Sequence, residues 1–211
     1  ISIMNPESRK LVMFDIDGVL VNTLPMAYQI HKDRNNHLTW ERFQDFSNGN
    51  FVEGIGEAIT LGEHVVPDNF HDEYQKNLLT FTIHDILNDT ILSLADRYIL
   101  TVVSSSRSSF IQEFLQKENL AESFTDILGV DIHSSKVFKI NALLEKYNLK
   151  SEDAVFITDT LGDVREANEC SVASIGVTWG LHDRQTLEKG NPRAVIDNPP
   201  ELLGTIERIL R

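Results

Sequence analysis

Leu11-Val12-Met13-Phe14-Asp15-Ile16-Asp17-Gly18-Val19 is the stretch that decides the fold. Four consecutive apolar residues without polar alternation predict a strand buried on both faces, and the run breaks into acids and a glycine at its C-terminal end. The pattern recurs downstream. Tyr98-Ile99-Leu100-Thr101-Val102-Val103 ends in Ser104-Ser105-Ser106, and Ala154-Val155-Phe156-Ile157 ends in Thr158-Asp159. Shorter runs lie at Asp126-Ile127-Leu128-Gly129 and Ala173-Ser174-Ile175-Gly176-Val177, with an edge-strand candidate at Ala194-Val195-Ile196.

Helical periodicity fills the gaps. Ser108 is the expected cap of a helix carrying Phe110, Ile111, Phe114 and Leu115 on one face. Ile140, Leu143, Leu144 and Tyr147 keep the same spacing, another helix begins near Asp163, and Asn198-Pro199-Pro200 turns into a last helix over Glu201 to Leu210. Apolar strands alternating with amphipathic helices predict an α/β fold, a three-layer parallel sheet covered on both faces. Ligands of such sheets bind beyond the carboxyl ends of the strands, so the polar strand ends converge on one place. The segment from 22 to 82 breaks the alternation: it is polar, rich in His and Asn, and lacks strand-length β-branched runs. It predicts a small helical cap inserted into a core made of residues 1–21 and 83–211. Trp40 and Phe43 are its expected core, and Asn48-Gly49-Asn50-Phe51-Val52-Glu53-Gly54 its loop over the site.

Composition narrows the partners. The chain has 211 residues, 41% hydrophobic and 24% charged, which suits a globular domain with a sizeable core. Lys+Arg 19 against Asp+Glu 32 leaves a net charge of -13, which repels phosphate backbones and anionic lipid, so neither nucleic acid nor a membrane surface is expected. The single Cys170 excludes an internal disulfide. No apolar run approaches the ~20 residues of a membrane span, and the first residues show no signal-peptide pattern. A cytoplasmic protein is the expectation. The seven histidines lack H-x-x-x-H spacing, which argues against zinc. Gly54-Ile55-Gly56 lacks the third glycine and preceding strand of a dinucleotide site.

Chemistry gathers at the strand ends. Asp15 and Asp17 place two carboxylates two residues apart, one able to attack phosphorus and the other to protonate a leaving oxygen. Taken alone, that pair reads as a solvated acidic turn. Ser104 supplies a hydroxyl, with backbone amides following at Ser105, that can hold a phosphoryl oxygen near a helix N-terminus. Lys136 offers a cation before a helix, with Lys139 as its rival. Asp159 and Asp163 carry hard oxygens suited to Mg²⁺. Arg107 is a candidate for gripping a substrate's distal phosphate or carboxylate, and equally reads as a solvent-facing arginine at a helix start.

Four motifs in this order resemble the signatures of the haloacid dehalogenase superfamily: Asp15-Ile16-Asp17-Gly18-Val19-Leu20-Val21-Asn22-Thr23, Ser104, Lys136, and Thr158-Asp159-Thr160-Leu161-Gly162-Asp163. Gly176-Val177-Thr178-Trp179-Gly180 and the stretch from Val195 to Leu203 are similar to its phosphoglycolate-phosphatase-like branch. The resemblance implies a Rossmann-like core with a helical cap, acting as a phosphatase on a small phosphorylated metabolite. It also implies that Asp15 becomes phosphorylated while Asp17 serves as general acid and then base. Mg²⁺ would be held by Asp15, the Asp17 backbone carbonyl and Asp159, with Asp163 binding it directly or through water. Ser104, Ser105 and Lys136 would hold the phosphoryl oxygens.

Asp17 favours phosphatase or mutase chemistry over dehalogenation. The sugar mutases of this branch carry a cap histidine where this chain has Ala27, with His31 one helical turn on, and that departure lowers the mutase reading. A non-catalytic binding protein on the same scaffold would not need the full set of acids. Lys32 could serve a Schiff-base enzyme but reads as a solvated helical lysine. Charge arithmetic requires cations: a phosphomonoester dianion meets four carboxylates, each repelling it by roughly 4 kcal/mol at ~4 Å and an effective dielectric near 20.

Overall fold

The computed structural model describes residues 10–66, 69–83 and 85–211. Six strands, β1 (Leu11–Phe14), β2 (Ile99–Val103), β3 (Asp126–Leu128), β4 (Ala154–Thr158), β5 (Ala173–Val177) and β6 (Ala194–Ile196), form one sheet in the order β3-β2-β1-β4-β5-β6. Every neighbouring pair is parallel. Strands with apolar side chains on both faces are stable only when helices cover each face, and that is the observed arrangement. Val12, Phe14, Leu100, Val102, Val155 and Ile157 point to one side, into a cluster shared with α5 (Asp85–Ala95), α6 (Ser108–Lys117) and α10 (Glu201–Ile209). Leu11, Met13, Val103, Ala154 and Phe156 point to the other, against α7 (Lys136–Lys146) and α8 (Leu161–Glu169). Each of these buried Val, Leu, Ile, Phe and Met side chains contributes roughly 1.5–3 kcal/mol. Among the described residues no helix is long and apolar enough to cross a membrane.

Four further helices, α1 (Leu24–Lys32), α2 (Trp40–Asp45), α3 (Phe51–Thr60) and α4 (Phe70–Leu78), lie between β1 and α5. Leu24, Leu38, Phe43, Phe46 and Ala58 form their own cluster, with Trp40 packed against it and Leu181 entering from the sheet side. Tyr74 and Leu78 of α4 belong instead to the main core cluster, so α4 seats these helices on the sheet domain. A short helix, α9 (Arg184–Glu188), follows β5.

Two local expectations are corrected. The stretch from Asn48 to Gly54 is not a loop throughout: Asn50 caps α3, its Oδ1 accepting from the Val52 and Glu53 amides at 3.1 and 3.2 Å. A side-chain acceptor at that position satisfies amides the helix cannot pair itself. The residues before it are stitched to the sheet domain. Gly162 N donates to Ser47 O at 2.8 Å, Arg165 donates to Asn48 O at 2.7 Å, and Asn50 Nδ2 donates to Glu166 Oε1 at 3.1 Å. A Cβ on Gly162 would stand 1.9 Å from Gly49 O, so only glycine admits this approach. Ser108 is the first residue of α6 rather than its cap. Its hydroxyl accepts from Gly129 N at 2.8 Å, and Asp131 Oδ1 takes the Ser108 amide at 2.7 Å.

His31 is 1% exposed, and its Nδ1 lies 3.0 Å from His64 Nε2. One ring must donate and the other accept, so both cannot be protonated. Burial, then the neighbouring His64, holds the His31 imidazole down to about 3, and burial lowers His64 as well. A histidine whose folded value lies below its unfolded one contributes full stability above the unfolded value and loses it as pH falls. From the ordinary 6.5 of the unfolded chain, His31 alone forfeits about 2 kcal/mol by pH 5. Urea unfolding at pH 7 and pH 5 checks this: the loss of stability on acidification should shrink by about one proton's worth in His31→Phe.

Candidate active site

Asp15 stands one residue beyond β1, level with the ends of β2 and β4, because Phe14 pairs with Val102 on one side and Ile157 on the other. Its amide donates to Ile157 O at 2.9 Å, and its Oδ1 accepts from the Ile16 amide at 2.7 Å. The chain then turns tightly. Gly18 adopts φ +75°, and a Cβ there would sit 1.9 Å from Asp159 Oδ2, so this residue needs both the conformational freedom and the missing side chain.

Lys136, the first residue of α7, reaches back under the sheet edge. Its Nζ donates to Asp15 Oδ2 and Asp163 Oδ2, each at 2.5 Å, and all three side chains are under 10% exposed. Thr158 Oγ1 donates to the same Asp163 oxygen at 2.7 Å. Glu166 Oε1 takes the Lys136 amide at 2.8 Å, fixing the start of the helix that carries the lysine. The rival Lys139 is committed elsewhere: its Nζ donates to Ser104 O at 2.6 Å.

The electrostatics follow from four acids, Asp15, Asp17, Asp159 and Asp163, with the Lys136 ammonium in contact with two of them and Lys139 behind it. Burial pushes the Asp15 carboxyl up to about 7, with Asp163 adding to the rise and Lys136 opposing it. Burial and then Asp15 drive the Asp159 carboxyl well above the ordinary range. Burial also acts on Asp163, but the Lys136 charge and hydrogen bond outweigh it and hold that carboxyl low. Desolvation works against the Lys136 charge, and the two aspartates more than restore it. The site is short of positive charge.

That shortage tests the fit of a cation. Asp159 Oδ2 accepts from the Leu181 amide at 2.7 Å, but its Oδ1 is buried with no hydrogen-bond partner. Among the described residues no cluster of three or more His, Cys, Asp or Glu side chains forms a ready-made metal cage. Two carboxylates, Asp15 and Asp159, line the same cavity, and one of their oxygens lacks a partner. Such a set suits Mg²⁺, which takes one or two carboxylates and keeps several waters. Asp163 faces Lys136 and Thr158 with the same oxygen.

Asp17 is gripped from several elements. Its Oδ1 accepts from Thr23 Oγ1 and from Tyr74 Oη, and its Oδ2 lies 2.7 Å from Ser106 Oγ. Ser106 and Tyr74 are themselves 3.1 Å apart, and the Ser106 amide donates to Ser104 Oγ at 3.0 Å. Burial, then the Asp17 charge, holds the Tyr74 hydroxyl far above its ordinary value, so it stays protonated and able to donate. A cavity of about 110 Å³ joins these groups, lined by Asp15, Asp17, Ser104, Ser105, Arg107, Asp159 and Asp163. Every sequence-derived site residue except Lys136, which lies behind Asp15, therefore lines one cavity. Ala27 lines it too, whereas His31 is turned away into its pair with His64.

Three partners of the site escaped the sequence reading. Ser106 sits in the quoted Ser104-Ser105-Ser106 run, two residues past the strand, so its signal was present. Tyr74 and Glu166 carried none, since nothing local marks a helix tyrosine or glutamate that reaches a distant acid or amide.

A family model for haloacid dehalogenase-like hydrolases matches residues 12–177, and the chain belongs to that family. It is similar to the phosphoglycolate phosphatase of Vibrio parahaemolyticus serotype O3:K6, 24% identical with 96% of this chain and 98% of that one covered. The phosphoglycolate phosphatase of Vibrio cholerae serotype O1 is 25% identical, with 95% and 98% covered. Among solved structures, a haloacid dehalogenase-like family hydrolase from Streptococcus pneumoniae superposes with a TM-score of 0.77 at 19% identity, covering 94% of this chain and 99% of that one. The structural likeness agrees with the parallel sheet flanked by helices.

Removing one partner of a buried ion pair leaves the other uncompensated, at a cost of about 3–5 kcal/mol. Lys136→Met should therefore lower the unfolding free energy by about 3 kcal/mol or more in chelator at neutral pH, read by urea denaturation. The double variant Lys136→Met, Asp163→Leu should recover part of that loss.

Proposed function

We propose that this chain is a Mg²⁺-dependent phosphatase that hydrolyses a small phosphomonoester through an aspartyl-phosphate on Asp15. The observation that carries this reading is Asp15, held from behind by Lys136, in a cavity that also holds Asp17, a second carboxylate presented by three hydroxyls. A binding protein has no need for a buried carboxylate raised by desolvation beside a second acid placed to exchange protons.

In the first half-reaction an Asp15 oxygen forms a bond to phosphorus and the ester P–O bond breaks. The departing alkoxide takes its proton from Asp17. In the second, Asp17, now a carboxylate, removes a proton from water, the water oxygen attacks phosphorus, and the Asp15–phosphorus bond breaks. Inorganic phosphate leaves and both acids return to their starting states. Lys136 holds Asp15 in place from behind the cavity wall, and the Ser104 to Ser106 turn faces the phosphoryl oxygens; positioning and fixed charge are what this chemistry mostly requires. Asp15, Asp159 and the Asp17 carbonyl, with Asp163 nearby, would hold Mg²⁺, which would supply the positive charge that the acids and the phosphate dianion demand. Residues 22–82 act as the cap that closes the cavity, while residues 1–21 and 83–211 carry the chemistry. Arg107, on the cavity wall, is the cation available to a second anionic group of the substrate. The name carried by the Vibrio relatives makes 2-phosphoglycolate the first natural ester to assay.

Asp15→Asn should abolish phosphate release from p-nitrophenyl phosphate, by at least about a thousandfold, and chelation of divalent cations should do the same to the unaltered protein until Mg²⁺ is restored. Turnover surviving in Asp15→Asn excludes Asp15 as nucleophile. Tyr74 acts as a positioning residue through Asp17. Tyr74→Phe should lower kcat roughly tenfold with little change in KM, because a slightly misdirected acid slows transfer without weakening binding. An unchanged kcat would show that Thr23 and Ser106 hold Asp17 unaided.

A further inference from the structure

The cavity walls bear on which alcohol the ester releases. Around the reacting acids the lining is dominated by apolar side chains. Phe43 comes from α2, Phe51 from α3, Phe70 and Tyr74 from α4, and Phe110 from α6 on the opposite, sheet side. The Phe70 and Tyr74 rings are stacked with centroids 5.8 Å apart, and Phe51 meets Phe43 edge to face at 6.1 Å.

The polar groups of the lining are mostly engaged already. Tyr74 and Ser106 are bound to Asp17, and Thr160 Oγ1 takes the Asp163 amide at 3.2 Å. Ser104 Oγ takes the Ser106 amide at 3.0 Å, Ser47 and Ser105 are the remaining hydroxyls, and His71 is held towards its neutral form by burial and then by Arg107. The Arg107 guanidinium lies 5.9 Å from the Phe110 ring centroid, against the aromatic wall. A polyol entering this space would lose water from several hydroxyls and find few partners, which is costly. A two-carbon acid would leave most of the aromatic surface uncovered. An apolar ring gains from burial against that surface and from edge and face contacts with the phenyl groups.

We propose that the natural substrate is a phosphomonoester whose alcohol carries a ring-sized apolar or aromatic group, with at most one anionic substituent directed to Arg107. The inference rests on the phosphatase reading of the site and adds the leaving group to it.

Four esters of primary alcohols test it, so that leaving-group basicity does not favour the ring: benzyl phosphate, ethyl phosphate, 2-phosphoglycolate and glucose 6-phosphate. With the full chain and Mg²⁺, kcat/KM for benzyl phosphate should exceed each of the others by about fivefold or more, the scale of discrimination by apolar contact in a pocket. Phe70→Ala should cut the benzyl-to-ethyl ratio about threefold, with Phe51→Ala as the second variant should the first fail to fold. A smaller preference for benzyl phosphate, or a ratio unmoved in folded variants, overturns the inference while phosphate release from any ester leaves the phosphatase reading standing. No release from any of the four, nor from p-nitrophenyl phosphate, overturns both.

Discussion

The buried contact of the Lys136 ammonium with two of four clustered carboxylates is the constraint on which the rest of this structure depends. Asp15, Asp159 and Asp163 are all under 10% exposed, and each would resist ionising in so dry a place without a cation beside it. Lys136 answers for two of them at 2.5 Å each. It can do so only because α7 begins at the C-terminal edge of the sheet, with Glu166 of α8 holding its first amide. Asp159 has no such partner for its Oδ1. The protein thus leaves a deficit of positive charge beside the groups that would meet a phosphate dianion. Stability and chemistry draw on the same charges here, which is why the ion pair is buried instead of being left to solvent.

The sheet makes that crowding possible. Parallel pairing brings the ends of β1, β2 and β4 level, so acids and hydroxyls from residues 15, 104 and 159 meet although they lie far apart in the chain. The inserted helices then close over them. They are joined to the sheet domain at two kinds of contact, apolar through Leu181 and Leu78, and polar through Asn50 and the Ser47–Gly162 hydrogen bond. Tyr74 of α4 adds another polar contact, reaching Asp17 directly. Closure of these helices and orientation of the second acid are therefore parts of one arrangement.

Much of this was legible from the residues. The strands at 11–14, 99–103 and 154–158 announce themselves as unbroken apolar runs because both sheet faces are covered, and their polar ends mark the site for the same reason. The Asn48 to Gly54 stretch misled because glycine and asparagine suit loops and helix caps alike, and only the tertiary contacts of Asn50 separate the two. Ser108 misled in a similar way. Its hydroxyl had a better use against Gly129 across the sheet edge than against its own helix. His31, one turn from Ala27, could face either way on α1, and the apolar packing of Phe43 and Phe70 around it decided for the interior.

By itself the sequence determined the class of fold, the order of its strands along the chain, and the acids and hydroxyls that stand at their ends. Those follow from local periodicity and from abrupt changes of polarity, which each segment carries within itself. Tertiary structure alone decided which lysine reaches Asp15, which hydroxyls hold Asp17, and what walls line the cavity. Those depend on side chains separated by as many as 121 residues meeting within hydrogen-bond distance, and such meetings are fixed by packing and register, not by any pattern a single segment can show.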